Sequence, residues 1–388
     1  WSIILMIMTS FDLLSIIFAG CLMIISGAFL ERLWFAKKHF RLNRAYDDYR
    51  RFEDLPAVSV CIPARNEHQA IEACLERVLA SDYPKMEVIV LDDDSVDNTS
   101  DVVKQFAQRG VRFIKGAKLP KGWVGKNHAM AQLTEQATGS YIIFMSVDTI
   151  VGEGDLGTMI RYALDKNLAM LSVMPKRDRL CPNVFFGTLR FFWELILHSR
   201  NFPATSTSIW LVKVDELEQY GNFWEHHRAT VRPESVLASY FYSKHQYRFL
   251  VANQFLHVTH EKDWQSQLMT AVRTNGPVFD KSIWLKANVL VVLMIIVNGM
   301  VICTSNLFLT NLWWVQIVDL IGVLALSWLS VCYTRISWAR GWLLGLVNWP
   351  WAFLQELWLL FFSIVYNKFQ VVAWKGRRLP DPKKPDCC

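Results

Sequence analysis

The sequence has no Cys-x-x-Cys pair, and its eight cysteines (21, 61, 74, 181, 303, 332, 387 and 388) lack the histidine spacing of a zinc site. A zinc ribbon is excluded, and reduced thiols are the simplest account. There is also no Gly-x-Gly-x-x-Gly and no Walker Lys-Ser/Thr, so neither a dinucleotide Rossmann site nor a P-loop ATPase fits. Charge is nearly missing from residues 3–30, where Asp12 stands alone, and long apolar runs return between 283 and 366. With 52% hydrophobic residues, 13% aromatics, 17 Trp and a mean hydropathy of +0.19, the chain is too apolar for an ordinary soluble enzyme. Part of it is expected in lipid.

The apolar N-terminal run is followed at once by Arg32, Lys37, Lys38, Arg41 and Arg44, which by the positive-inside rule directs the next domain to the cytoplasm. A cleaved signal peptide is the competing reading, but the run lacks a basic leader and is too long for one. Residues 285–303 and 312–333 read as two further spans joined by an uncharged outer loop, 304–311. Residues 342–366 contain Asn348, Pro350, Gln355 and Glu356, and crossing the bilayer would leave a basic tail outside. A re-entrant or interfacial hairpin broken at Trp349-Pro350 is preferred over a true span. Asp319, inside the second of these spans, is either functional or a partnered group at a helix contact. The net charge of +6 gathers beside these segments, where anionic headgroups rather than nucleic acid are the expected counter-charge.

The division is therefore a transmembrane helix over 1–31, a basic linker over 32–56, a globular domain over 57–280, membrane segments over 281–366 and a basic tail over 367–388. Inside the globular domain, "AVSVCIPARNE" (57–67) is a β-branched run ending in polar residues and followed by a helical segment. "MEVIVLDDDSVDNT" (86–99) repeats that plan with an Asp cluster and cap residues for a helix. "VRFIKG" and "YIIFMSVD" supply further strands. Strands alternating with helices imply an α/β fold whose mostly parallel sheet is covered on both faces, with the ligand at the strand carboxyl ends. Asp93 can accept from a base N–H or a ribose hydroxyl, and Lys126 in "GWVGKNHA" can neutralise a diphosphate. Singly, such an Asp also serves as a helix cap and such a Lys as a solvated turn.

Taken in order, "IPARNE", "VIVLDDDSVDNT", "GWVGKNHA", "YIIFMSVDT" and "VRPESVLA" resemble the family 2 nucleotide-sugar glycosyltransferases of GT-A fold, across about residues 57–275. "LPKGWVGKNHA" and "VVAWKGR" are most similar to membrane-bound members that glycosylate carotenoid acids or accompany hopanoid synthesis. The resemblance implies a Rossmann-like sheet with Pro63, Ala64, Asn66 and Glu67 lining a nucleotide pocket and Asp93 holding the base, uracil. It puts Lys126 near the diphosphate, Ser146 at the ribose, Asp148 on Mg²⁺ or Mn²⁺, Arg273 near acceptor or pyrophosphate, and Glu234 in the role of catalytic base.

Three departures qualify this. The usual Asp-x-Asp is Ser146-Val147-Asp148, which leaves one carboxylate; Mg²⁺ needs only one or two when phosphate and water complete its shell. Asp94 stands where a Gly is usual, at a position that favours positive φ. Arg232-Pro233-Glu234-Ser235 replaces an acidic pair, so Glu234 is either the base or a surface residue at a helix start; His226 and His227 are fallback bases. The Gln-x-x-Arg-Trp signature that processive relatives carry at the position of "DWQSQLMTAVRTNG" (263–276) is missing, which favours one sugar per acceptor. The aromatic stripe in 183–202 is either core or an interface helix admitting a lipid. The reading is an inverting transfer of one sugar from a UDP-sugar to a terpenoid or other lipid by a multi-pass protein of the cell membrane with its catalytic domain in the cytoplasm. A polyprenyl-phosphate glycosyltransferase and an inactive homologue serving as a membrane scaffold are the alternatives.

Overall fold

The computed structural model describes residues 9–46, 55–178, 189, 191–199, 201–260, 269–270, 283–368, 373–374 and 377–378. It divides the chain into two compact units. One holds the described parts of Trp1–His39, Leu180–Ile196 and Asp263–Lys368; the other holds those of Phe40–Arg179, Leu197–Lys262 and Phe369–Cys388.

The second unit is built on β1 (Val58–Ala64), β2 (Met86–Asp92), β3 (Val111–Lys115) and β4 (Tyr141–Met145). In β1, β2 and β4 the β-branched and aliphatic residues are buried almost throughout, as strands covered on both faces require, whereas β3 lies at the sheet edge and buries only Val111. Helix α2 (Ile71–Leu79) buries Ile71, Cys74, Leu75 and Val78, one apolar stripe at helical spacing. After α3 (Thr99–Gln105), α4 (Gly125–Gln136), β5 (Thr149–Ile150) and α5 (Asp155–Asp165), the chain adds β6 (Met170–Met174), β7 (Lys176–Arg177), β8 (Ile209–Lys213), β9 (Tyr247–Val251) and β10 (Thr259–His260). The large sheet has the order β3-β2-β1-β4-β8-β6-β9, with β5, β10 and β7 in a smaller one. Strands β1 to β4 pair in parallel, whereas β8 runs antiparallel to both β4 and β6.

Strand order reverses between β1 and β4. The crevice at such a switch point, at the carboxyl ends of the strands, is where open α/β sheets receive ligands. Ala64 pairs with Asp92, and Asp92 with Lys115, so the loops after β1, β2 and β3 leave the sheet at one level. Because β8 is antiparallel to β4, with Met145 opposite Ile209, the segment entering β8 lies at that same edge.

The first unit contains α1 (Ser10–His39), most of α6 (Phe192–Leu197), α10 (Ile283–Leu309), α11 (Trp313–Ser337) and α12 (Gly345–Lys368). Helices α1, α10 and α11 are long and apolar enough to cross a membrane. They reach past the expected spans: α1 continues through Arg32 and Lys38, and α10 runs to Leu309, so most of the predicted outer loop is helix. Small residues allow close packing, since a Cβ on Gly322 would lie 3.0 Å from Ala19 Cα. Asp319 is buried and accepts from Asn306 Nδ2 at 2.9 Å, and the same amide donates to Ser15 Oγ at 2.8 Å, the arrangement of a partnered acid at a helix contact.

The expected break at Trp349-Pro350 is not found. A single 3₁₀ turn, Trp342–Leu344, leads into α12, which continues through Pro350. Pro350 is the sixth residue of α12, past the first turn, so it removes one i→i−4 hydrogen bond without ending the helix. Of the aromatic stripe in 183–202, Phe191, Phe192, Trp193, Leu195 and Ile196 are buried, which is core behaviour; Phe185 and Phe186 lie outside the described residues.

Candidate active site

On one side of the crevice, the loops after β1 and β2 are stitched together by their own polar groups. The Asp93 amide donates to Ala64 O at 2.8 Å, and the buried Arg65 guanidinium donates to the carbonyls of Asp93 and Asp94. Asp92 accepts from the hydroxyls of Ser95 and Ser100. Asn66, at φ +50°, receives the Val96 amide on Oδ1 at 2.9 Å, and its own amide donates to Ser95 Oγ. The Glu67 amide donates to Thr99 Oγ1 at 2.8 Å. Burial disfavours ionisation of Asp97, but hydrogen bonds from Thr99 and His68 outweigh it and bring its pKa down to about 2.

Pro63, Ala64, Asn66, Glu67 and Asp93 thus come together at the crevice, with Ala64 and Asp93 buried and the others half-buried. Asp94 adopts φ +59°, the conformation its position called for. Its side chain is 73% exposed, 3.8 Å from Arg65.

The other side is organised by residues 204–208, "ATSTS", just ahead of β8. Thr207 O accepts from Ser146 Oγ at 3.2 Å and from Lys126 Nζ at 3.4 Å, bringing the expected ribose and diphosphate groups to one carbonyl. The Ser146 amide donates to Ser208 O at 2.8 Å. Thr205 Oγ1 accepts from Arg232 Nη2 at 2.6 Å, and Arg232 Nε lies 3.3 Å from Glu234 Oε1. Ala204 O accepts from Tyr247 Oη at 2.6 Å. Asn127, beside Lys126 in α4, donates to the carbonyls of His227, Arg228 and Thr230, fixing the approach to α9 (Pro233–Ser243).

Glu234 is not a surface residue. Although it follows Pro233 in the first turn of α9, it is 2% exposed and ion-paired with Arg232. His227 holds Tyr220 Oη at 3.1 Å through Nε2; burial, with His226 beside it, keeps it below the usual histidine range. Asp148 is half-buried past the end of β4; burial pushes the Cys74 thiol up to about 12, and the charges of Asp148 and Glu67 act in the same direction. Arg273 lies outside the described residues.

Among the described residues no three His, Cys, Asp or Glu side chains gather as a metal cage. One carboxylate, Asp148, with the Ser146 hydroxyl in the same turn, is a sparse set of hard oxygen donors. Such a set fits a divalent cation whose shell is completed by diphosphate and water.

Sequence reasoning passed over Arg65, Asn127, Arg232, Tyr247 and the 204–208 segment. The available signal was the run of four hydroxyl residues directly before an apolar strand.

With this geometry in view, comparison with known proteins is informative. Residues 59–211, which lie largely in the sheet unit, match the Glycosyl transferase family 2. The 4,4'-diaponeurosporenoate glycosyltransferase of Staphylococcus haemolyticus is 29% identical over 133 residues, 34% of this chain and 35% of that one. The probable glycosyltransferase YdaM of Bacillus subtilis is 36% identical over 100 residues, 25% of this chain and 24% of that one. The matches span about a third or less of such curated relatives. Among solved structures, the mannosyltransferase PcManGT from Pyrobaculum calidifontis, in complex with GDP-Man and Mn²⁺, has a TM-score of 0.54 at 18% identity. The likeness covers 92% of this chain and 99% of that one, and it establishes the fold as GT-A.

Proposed function

We propose that the protein transfers a single sugar, with inversion, from a nucleotide sugar to a lipid acceptor at the cell membrane, its catalytic domain facing the cytoplasm. The observation that carries this reading is the convergence of Lys126, Ser146 and, through Arg232, Glu234 on residues 204–208 at the switch point of a family 2 domain. Three helices long enough to cross a membrane support the lipid acceptor and the multi-pass topology, as does the match to a carotenoid-acid glycosyltransferase. Basic residues Arg32, Lys37 and Lys38 near the end of α1 favour the cytoplasmic orientation.

Asp93 would hold the base, with UDP the preferred carrier, while Pro63, Ala64, Asn66 and Glu67 shape the pocket. Lys126 would offset diphosphate charge, and Arg273 would act near the acceptor or pyrophosphate. Asp148 would hold Mg²⁺ or Mn²⁺, a Lewis acid that offsets charge on the departing nucleotide. Glu234 would accept the proton from the attacking acceptor group, with Arg232 fixing the carboxylate's orientation.

The test is nucleotide release by the purified full-length protein in detergent across UDP- and GDP-sugars, with and without Mn²⁺ and membrane lipid extract. Lipid-stimulated, metal-dependent release lost in Asp148→Ala and Glu234→Gln is the expected result. Binding of nucleotide sugar without turnover under any condition would instead support a membrane scaffold. The Arg232–Glu234 pair also favours a second reading, because an anionic polyprenyl phosphate needs no strong base. Sugar found on a phosphate rather than on a hydroxyl or carboxyl would select it.

A further inference from the structure

The outward face of helix α12 is apolar, while its buried face mixes Trp349, Ala352, Phe353, Leu359 and Leu360 with polar side chains. Leu346, Val347, Trp351, Leu354, Trp358 and Phe361 are exposed, whereas Asn348, Gln355, Glu356 and Ser363 are buried. At 3.6 residues per turn, Asn348 and Gln355 lie two turns apart on nearly the same line, with Ser363 and Glu356 beside it. Such a helix turns hydrocarbon outward and a polar stripe inward, and inward polar groups in a membrane unit are costly and usually functional.

Partners account for only part of this stripe. Trp193 Nε1 donates to Glu356 Oε1 at 2.8 Å. Asn348 Oδ1 and both Gln355 amide atoms are buried with no hydrogen-bond partner, although Asn348 is 3% and Gln355 8% exposed. An unsatisfied amide in an apolar surround loses its hydration with nothing in return, and a Leu at either position would avoid that loss. The inward side of the helix rests on a largely buried aromatic cluster, in which Phe353 meets Phe192 at 6.0 Å and Phe192 meets Phe29 and Tyr333 at 5.3 Å each.

We propose that Asn348 and Gln355 bind the uncharged polar end, a hydroxyl or a protonated carboxyl, of the lipid acceptor, with the exposed Trp351, Leu354 and Trp358 beside them offering surface to its apolar chain. A primary amide donates and accepts side by side, which matches a group that also does both. A phosphate needs cationic or donor-only neighbours, and residues 345–367 contain no Lys or Arg. The assignment rests on the lipid-glycosylating function proposed above and narrows its acceptor to a lipid alcohol or acid.

The test is photolabelling of the full-length protein in nanodiscs with a diazirine-bearing long-chain alcohol, the matching acid and an alkane of equal length, mapped by mass spectrometry. The alcohol and acid are expected to label residues 345–363 about ten-fold more than the alkane, a difference of about 1.4 kcal/mol. Gln355→Leu and Asn348→Leu should each remove most of that preference while leaving nucleotide-sugar binding intact. Equal labelling by the alkane, or a preference unchanged in both variants, overturns the proposal and makes the stripe a site for water or internal packing. The alcohol-to-alkane comparison needs no variant, so a misfolded substitution does not block the test. Selective labelling without sugar transfer to any lipid would sink the acceptor assignment while leaving a lipid site. Transfer to lipid with both variants labelled and turning over normally would sink the site and leave the enzyme.

Discussion

The two sides of the crevice spend their polar groups differently. After β1 and β2, Asp92 accepts from the Ser95 hydroxyl, Asn66 from the Val96 amide, Asp97 from the Thr99 amide and Thr99 from the Glu67 amide, so that side is a preformed cradle. Across from it, Ser146, Lys126 and Arg232 reach carbonyls and a hydroxyl of 204–208 from elements distant in sequence. The lesson is that the number of acidic residues in a loop is a poor guide to its chemistry. The Asp-rich loop after β2 uses much of its charge to hold its own shape, while the chemistry proposed above falls to a sparse set opposite. Substitutions on the two sides should therefore report on different quantities, stability for the cradle and turnover for the opposite side.

The largest expected effect is on Glu234. Glu234→Gln keeps the volume and one hydrogen-bond acceptor for Arg232 but cannot take a proton. Its kcat for sugar transfer should fall by about 10²–10⁴-fold, with nucleotide-sugar binding by calorimetry unchanged. Should turnover survive, Glu234 belongs with the scaffold and the contrast between the sides fails.

Arg232 separates orientation from folding. Arg232→Met strands the Glu234 charge in a site that is 2% exposed, and breaking a buried pair this way typically costs about 3–5 kcal/mol. Denaturation followed by tryptophan fluorescence should show that loss, and a Met/Leu double replacement of Arg232 and Glu234 should recover most of it without recovering turnover. Full stability in Arg232→Met would show the pair to be solvated and put its positioning role in doubt.

A smaller, pH-dependent effect is expected in the cradle. Since Asp97 titrates near 2 when folded, against 3.8 for an ordinary Asp, its stabilisation is complete above about pH 4.5 and is lost as pH falls through 2. The thermal midpoint of the wild type should exceed that of Asp97→Asn by a constant amount above pH 4.5, and the gap should close on acidification. A gap that widens in acid would reverse the assigned sign.

The strands β1 to β4 were legible because buried parallel strands are nearly continuous aliphatic runs ending in polar turns. Asp94 was legible too, since a side chain in place of glycine at a positive-φ position narrows the conformation to one region. The 204–208 segment was not, because its hydroxyls and carbonyls take meaning only from Lys126, Ser146 and Arg232, which the sheet brings to it from separate elements. Glu234 could be read as base or surface residue because Pro-Glu at a helix start looks the same whether the first turn faces solvent or core. The continuity of α12 was missed because an interior proline removes one i→i−4 hydrogen bond and does not by itself end a helix whose other turns are formed.

Asp94→Gly should give the smallest effect and so draws the boundary of the comparison most finely. Three terms compete: relief of an L-residue at φ +59°, the larger chain entropy that glycine loses on folding, and loss of the contact to Arg65 at 3.8 Å. The first two are each about 1 kcal/mol and opposed, and an ion pair with a partner 73% exposed contributes about 0–1 kcal/mol. Stability should therefore change by less than about 1 kcal/mol in denaturation. Because the carboxylate is largely solvated and lies beside Arg65, KM for the nucleotide sugar should move by less than about three-fold, under 1 kcal/mol. A ten-fold drop in KM would mean that Asp94 swings inward to oppose the diphosphate when donor binds, making the cradle an electrostatic participant rather than a fixed frame.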